Sequence, residues 1–301
     1  MIWAGQPVVK GGPEPVLDWP LSAPPRPKRC ELTSSTPDAL WASRSVSLLG
    51  PAAVVCEGIS HTVRGESLLD DLSLVVGVGT RLLVVSRPQE SASMLLRVLA
   101  GLSHPTAGTV RLAGMARADN SAEGWARRIG YVGPEVGIYP WMTPREVLDL
   151  AARIADFDAR DRARRIDALA ERYRIGMQLD EPVRRGGEAL AQRVALAAAM
   201  LTDPEVLLLD EPLRSLEPKE RSRLLAMRGR RRTVLLASRD PASEAGLVDQ
   251  VAFLRDGRVA LHAPVKELDA RGLTLSQGGI EALAELATPS AQPTAAAAAT
   301  G

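Results

Sequence analysis

The run EVLLLDEPLRSLEP, residues 205–218, constrains the fold of this chain more than any other stretch. Four consecutive apolar side chains, Val206 to Leu209, predict a strand buried on both faces. Such strands belong to parallel sheets covered by helices. The run ends in Asp210 and Glu211, and Pro212 then stops the strand, because proline has no N–H to give the ladder. Open α/β sheets receive ligands at the carboxyl ends of their strands. Two acids placed there suit a magnesium ion and the polarisation of a water in phosphoryl-transfer chemistry. The same pair also reads as an acidic turn that caps nearby backbone, and the run alone leaves both readings open.

A length of 301 residues allows one large domain or two small ones. Apolar residues make up 46% and aromatics only 3%, so the expected core is built from Ala, Leu and Val. A net charge of +1 gives no whole-chain argument for nucleic acid or an anionic membrane. Cys30 and Cys56 match no metal or redox spacing, which implies free thiols in a cytosolic chain. The opening MIWAGQPVVKGGPEP lacks the basic and apolar regions of a signal peptide. The apolar stretch from Leu74 to Val85 is broken by Arg81 and is too short to span a bilayer.

Residues 1–52 carry Pro20, Pro24, Pro25, Pro27, Gly11 and Gly12, and are expected to form a flexible extension. Strands are predicted at 54–63, at 72–86 (two, broken around Gly77 and Gly79), at 109–114 and at 128–132. The spacing of Leu95, Leu96, Val98 and Leu99 predicts a helix over 92–102, followed by the turn HPTAG. A largely helical block runs from Thr143 to about Met200, with one apolar stripe through Val147, Leu148, Ala151 and Ile154 and another through Ile166, Leu169 and Tyr173. After the acidic strand come a helix at 217–228, a strand at 233–238 and a short helix at 241–247. Asp256-Gly257 between apolar runs signals a hairpin over 251–262. Residues 269–301 are expected to form a short helix and an Ala/Thr-rich disordered tail.

The order of LLRVLAGLSHPTAGTVRLAG, RRIGYVGPEVGIYPWMTPREVLDLAARI, QRVALAAAM, LLLDEPLRSLEP and RDGRVAL resembles the ATP-binding subunit of ABC transporters. The resemblance covers residues 53–268 and implies an α/β fold: a RecA-like P-loop NTPase core with an antiparallel β subdomain and a helical subdomain inserted over about 134–200. It also implies ATP and magnesium as ligands. The expected partners are an integral-membrane permease and a second ABC subunit, in a homo- or heterodimer that sandwiches two ATP molecules. The expected place is the cytoplasmic face of the membrane.

Carried over position by position, the resemblance is degenerate. The phosphate loop GxxGxGK[ST] falls on Ser86 to Met94. Glycines there let backbone N–H groups face phosphate, and the lysine adds a charge. Here Ser86, Gln89 and Ser91 fill the glycine positions, Ala92 replaces the lysine, and only Ser93, the magnesium-facing hydroxyl, matches. Glu90 adds a negative charge, and Arg87 is the one nearby cation that stands to replace the lysine. The adenine-stacking aromatic falls on Val63, and the Q-loop glutamine, which senses magnesium and the permease, on Pro134. The signature LSGGQ falls on Gly186 to Leu190, with Gly187 at the serine. The switch histidine is Arg239, and the D-loop aspartate is Glu217. Asp210, a magnesium position, and Glu211, the general-base position, match.

In GIYPWMT, Ile138, Tyr139, Trp141 and Met142 are either apolar anchors facing the permease or part of the helical core. The run Arg228, Arg230, Arg231, Arg232 suits a helix C-terminus, and no nucleic-acid partner is expected. The expectation is therefore an ABC subunit with weak or absent hydrolysis, a pseudo-ATPase. The alternatives are a functional ATP-hydrolysing export subunit and, on the arginine run alone, a nucleic-acid-associated ABC protein.

Overall fold

The computed structural model of the chain describes residues 51–88, 90–116, 122–211, 215–216, 218–225, 232–270 and 275. The proline-rich stretch of residues 1–50, Gln89, Pro212, Glu217, the arginines at 228, 230 and 231, and the tail from 276 onward lie outside them.

Among the described residues two sheets form. The first is antiparallel and built from β1 (Ala52–Val63), β2 (Glu66–Gly77), β4 (Ala107–Leu112) and β5 (Met115–Ala116), in the order β2-β1-β4-β5. The second contains β3 (Arg81–Arg87), β6 (Ile129–Val132), β7 (Val206–Asp210), β8 (Thr233–Ala237), β9 (Gln250–Arg255) and β10 (Arg258–Pro264). Its order is β10-β9-β3-β8-β7-β6, and every neighbouring pair is parallel except the β9-β10 hairpin. All five residues of β7 and all five of β8 are buried, as their apolar runs predict.

Side chains alternate across the second sheet and so feed two cores. Leu83, Val85, Leu207, Leu209, Leu236 and Phe253 face one core, which includes the helices α3 (Pro144–Ile154), α4 (Ala159–Arg172) and α5 (Gly187–Ala199). Leu82, Val84, Val206, Leu208, Leu235 and Leu254 face the other, shared with the antiparallel sheet and α1 (Glu90–Ala100). The strand α1 follows and the acidic strand thus sit between an antiparallel layer and a helical layer. Shorter helices complete the chain: α2 (Ala122–Ala126), α6 (Pro218–Leu225), α7 (Pro241–Glu244) and α8 (Val265–Asp269).

Local chemistry fixes the ends of these elements. Thr143 and Glu146 form a reciprocal capping box at α3, with Pro144 in the first turn, and Asp158 caps α4. At the hairpin tip Asp256 and Gly257 both take positive φ, 50° and 76°, which matches the twist of the strands they join. A Cβ on Gly257 would lie 2.7 Å from the amide nitrogen of Asp70, so the tip must be glycine to touch β2. Arg258 then bonds Asp70 at 2.7 Å and ties the two sheets together.

Besides the short β5 and α8, which no predicted range covers, two elements exceed the sequence expectation for reasons the contacts show. β2 starts at Glu66 rather than near 72, because it pairs with β1 from the Arg64-Gly65 turn onward and exposes its polar side chains. α2 has too few residues for a periodic signal and is held by a distant contact, Trp125 Nε1 donating to Leu99 O at 3.0 Å.

Candidate functional site

The carboxyl ends of β3, β7 and β8 converge on a cleft of about 240 Å3 lined by Ser86, Arg87, Ala92, Ser93, Glu211 and Arg239 among others. Small-molecule sites usually run from roughly 300 to 1,000 Å3, so this cleft is small.

Asp210 closes β7 and is 1% exposed. Ser93 Oγ, from the first turn of α1, donates to its Oδ1 at 2.8 Å, and the Tyr131 hydroxyl, from β6, donates to its Oδ2 at 3.4 Å. Burial pushes the Asp210 carboxyl up, while the bonds from Ser93 and Tyr131 and the charges of Arg97 and Arg239 pull it down. Burial and the Asp210 charge both raise the Tyr131 phenol, which stays a protonated donor.

Glu211 takes φ 50° and donates its amide to Ala237 O at 2.9 Å. Its Oε1 lies 3.4 Å from Arg239 Nε, with the glutamate side chain 16% exposed and the arginine 71%. The residue at the general-base position therefore faces a cation at the switch-histidine position.

The phosphate-loop segment has closed on itself. Ser86 Oγ accepts from the Ala92 amide at 2.9 Å, and the Ser91 amide donates to Pro88 O at 3.3 Å. The Arg87-Pro88 peptide is cis, and α1 already begins at Glu90. An anion cradle needs backbone N–H groups free to point at the ligand. Here two of those donors are taken by the chain, Ser91 is fully buried, and Ala92 at the lysine position is 4% exposed. These residues do not fit a triphosphate. Ser93 and Asp210 have the right chemistry for magnesium but are bonded to each other, and among the described residues no group of three or more His, Cys, Asp or Glu gathers for a metal.

The remaining expected positions are scattered. Val63 ends β1 opposite Glu66, and Pro134 is exposed in the loop after β6. Gly187 opens α5 at φ 63°, with Glu188 in the first turn accepting from Gln192 at 3.2 Å. Gln192 also holds Ser215, accepting from its amide at 3.2 Å.

Beside this cleft lies a larger groove of about 700 Å3 between the central sheet and the helical layer. Tyr131, Ile138, Tyr139, Met142, Leu150 and Ile154 contribute to its walls. Ile138 and Met142 pack against the core, whereas Tyr139 and Trp141 are exposed and stack at 4.7 Å and 21°. Ile138 and Met142 thus serve the core as well as the groove, and Tyr139 and Trp141 lie on the surface. Sequence reasoning missed Tyr131, whose only signal is one polar tip in the apolar strand RIGYV.

The sequence profile of the family described as ABC transporter matches residues 69–214. The nickel import ATP-binding protein NikO of Rhodobacter capsulatus is 32% identical over 232 residues, which are 71% of this chain and 90% of that protein. The daunorubicin resistance ATP-binding protein DrrA3 of Streptomyces coeruleorubidus is 30% identical, over 74% of this chain and 71% of its own length. A solved ATP-binding subunit of an ABC transporter superposes with a TM-score of 0.66 at 22% identity, covering 78% of this chain and 100% of that one.

Proposed function

The chain belongs to the family of ABC transporter ATP-binding subunits, and on that premise we propose that it is a docking or regulatory subunit whose own ATP hydrolysis is weak or absent. One observation carries the reading: the donors that would cradle phosphate are occupied by the chain itself, through Ser86 Oγ on the Ala92 amide. A charged hydrogen bond contributes roughly 1.5–3 kcal/mol. Each decade of affinity is about 1.4 kcal/mol, so the lysine missing at Ala92 costs about tenfold or more in ATP binding by itself. Arg87 lines the cleft but is exposed, so solvent weakens the charge it lends there. Glu211 beside Arg239 is poorly placed to take a proton from water.

On the same reading the ABC-type unit spans residues 53–268, and its helical part about 134–200. A cytoplasmic helical segment of a membrane permease occupies the groove, with Ile138, Tyr139 and Trp141 facing it. Aromatic side chains at a groove rim are the usual anchors of such contacts. A second ABC subunit completes the assembly at the cytoplasmic face. Among the described residues no helix is long and apolar enough to cross a membrane. The second reading, an active ATP-hydrolysing export subunit, draws on Ser93, Asp210 and Glu211 standing at their family positions.

Steady-state ATPase measurement on the full chain, alone and with its permease, separates the two. The expected rate equals that of Glu211→Gln. Vigorous turnover abolished by Glu211→Gln would establish the active subunit instead.

A further inference from the structure

Tyr131 lines the groove and bonds Asp210, at the strand end that reaches the cleft. Its Cα pairs with that of Leu208 across the parallel β6-β7 ladder, and Asp210 follows Leu208 by two residues on the same face of β7. The phenol therefore reaches the end of β7 from the neighbouring strand and donates to Asp210 at 3.4 Å. The same ring walls the large groove on one side and a smaller cleft of about 310 Å3 on another. It is not clamped like Tyr173, which is 1% exposed in the core. Ordinary O–H···O bonds span roughly 2.5–3.0 Å, so the bond to Asp210 is long and has room to tighten or break.

Two neighbours fit this position to a moving part. Gly133 leaves the space beside the hydroxyl open, since a Cβ there would lie 3.2 Å from it. Arg97, from α1, lines the groove, and its charge acts on both Tyr131 and Asp210. Asp210 is bonded in turn, at 2.8 Å, to Ser93 in the first turn of α1. Pro134, exposed beyond the strand, has no side-chain donor or acceptor to offer such a link.

We infer that Tyr131 is a positioning residue that couples occupancy of the groove to Asp210: a body seated in the groove displaces the phenol, and the phenol shifts the carboxylate and α1 with it. The inference rests on the groove being the docking face.

The test uses the full chain with Cys30→Ser and Leu150→Cys, the latter position being a groove wall 42% exposed. Cys56 is buried and its thiol is pushed up to about 12, so it stays unreactive. Pyrene maleimide on residue 150 then fills the groove. Aspartate carboxyl carbons are followed by 13C NMR, with Asp210 assigned through Asp210→Asn. Labelling is expected to move the Asp210 resonance, and Tyr131→Phe to abolish that movement. Gly133→Ala, which keeps the ring but crowds the hydroxyl, is expected to move the resonance without any label. An equal movement with and without the hydroxyl, or none in either protein, overturns the inference. A permease that binds undiminished after Tyr139→Ser, a substitution on the groove wall, would overturn the docking face and leave the coupling standing.

Discussion

Two strands of one sheet, with β8 between them, end at the same cleft, and their ends differ in what they keep. The end of β7 keeps the acid pair Asp210 and Glu211, whereas the end of β3 keeps only Ser93 of the phosphate-loop pattern. The difference is one of structural employment. Asp210 accepts from two hydroxyls on two other elements, so it joins β6, β7 and α1 whether or not any ligand is present. The glycines and lysine of a phosphate loop have no such second role. On the proposed reading, in which phosphate is not gripped, a serine whose hydroxyl takes up an amide of the first helical turn serves the fold better. Persistence of the acids is thus weak support for catalysis, because the fold alone explains Asp210.

The largest expected effect tests that asymmetry within the acid pair. Asp210→Ala leaves the Ser93 and Tyr131 hydroxyls without their acceptor at a buried site. Each abandoned polar group costs about 1–3 kcal/mol, so the folded state should lose about 2–6 kcal/mol in urea unfolding. Glu211 bonds to an exposed arginine, and Glu211→Ala should cost less than about 1 kcal/mol. Equal losses would mean that both acids are structural, and the contrast between them would fall.

The second test applies to the other strand end. Ser86→Ala removes the side-chain acceptor of the Ala92 amide and should cost about 1 kcal/mol, the usual value of a helix cap. No loss, together with tighter binding of a fluorescent ATP analogue, would show that the cap is a dispensable plug rather than part of the fold.

How far these ends were legible in the sequence depended on how local their contacts are. The buried strands, the hairpin at Asp256-Gly257 and the apolar spacing of α1 are written in neighbouring residues, and the chain folds accordingly. The substitutions at Ser86, Ala92 and Arg239 were equally visible by position. What those residues do instead was not. The Ser86 cap depends on the early start of α1 at Glu90, and Tyr131 meets Asp210 across 79 residues of sequence. The polar first half of β2 was likewise hidden, since an edge strand with exposed acids has no apolar period to read.

The smallest effect concerns pH and bears on the end of β7. Burial raises the Asp210 carboxyl in the folded chain, so between the ordinary aspartate value of about 3.9 and the raised one the folded state holds more protons than the unfolded. Stability must then fall as pH climbs through that window and level off above it. Glu244, also buried and raised chiefly by burial, adds a fall of the same sign, whereas Asp180 and Asp240, held low by hydrogen bonds from Arg145 and Ser243, add a rise, so the wild-type slope belongs to several groups. Asp210→Asn removes one contribution and leaves the others. The stability of the wild type relative to Asp210→Asn, from urea unfolding at stepped pH, should therefore decline as pH rises above about 4. A difference between wild type and Asp210→Asn that grows with pH would mean that Ser93, Tyr131 and the two arginines outweigh burial, and that the end of β7 is tuned to hold a charge after all.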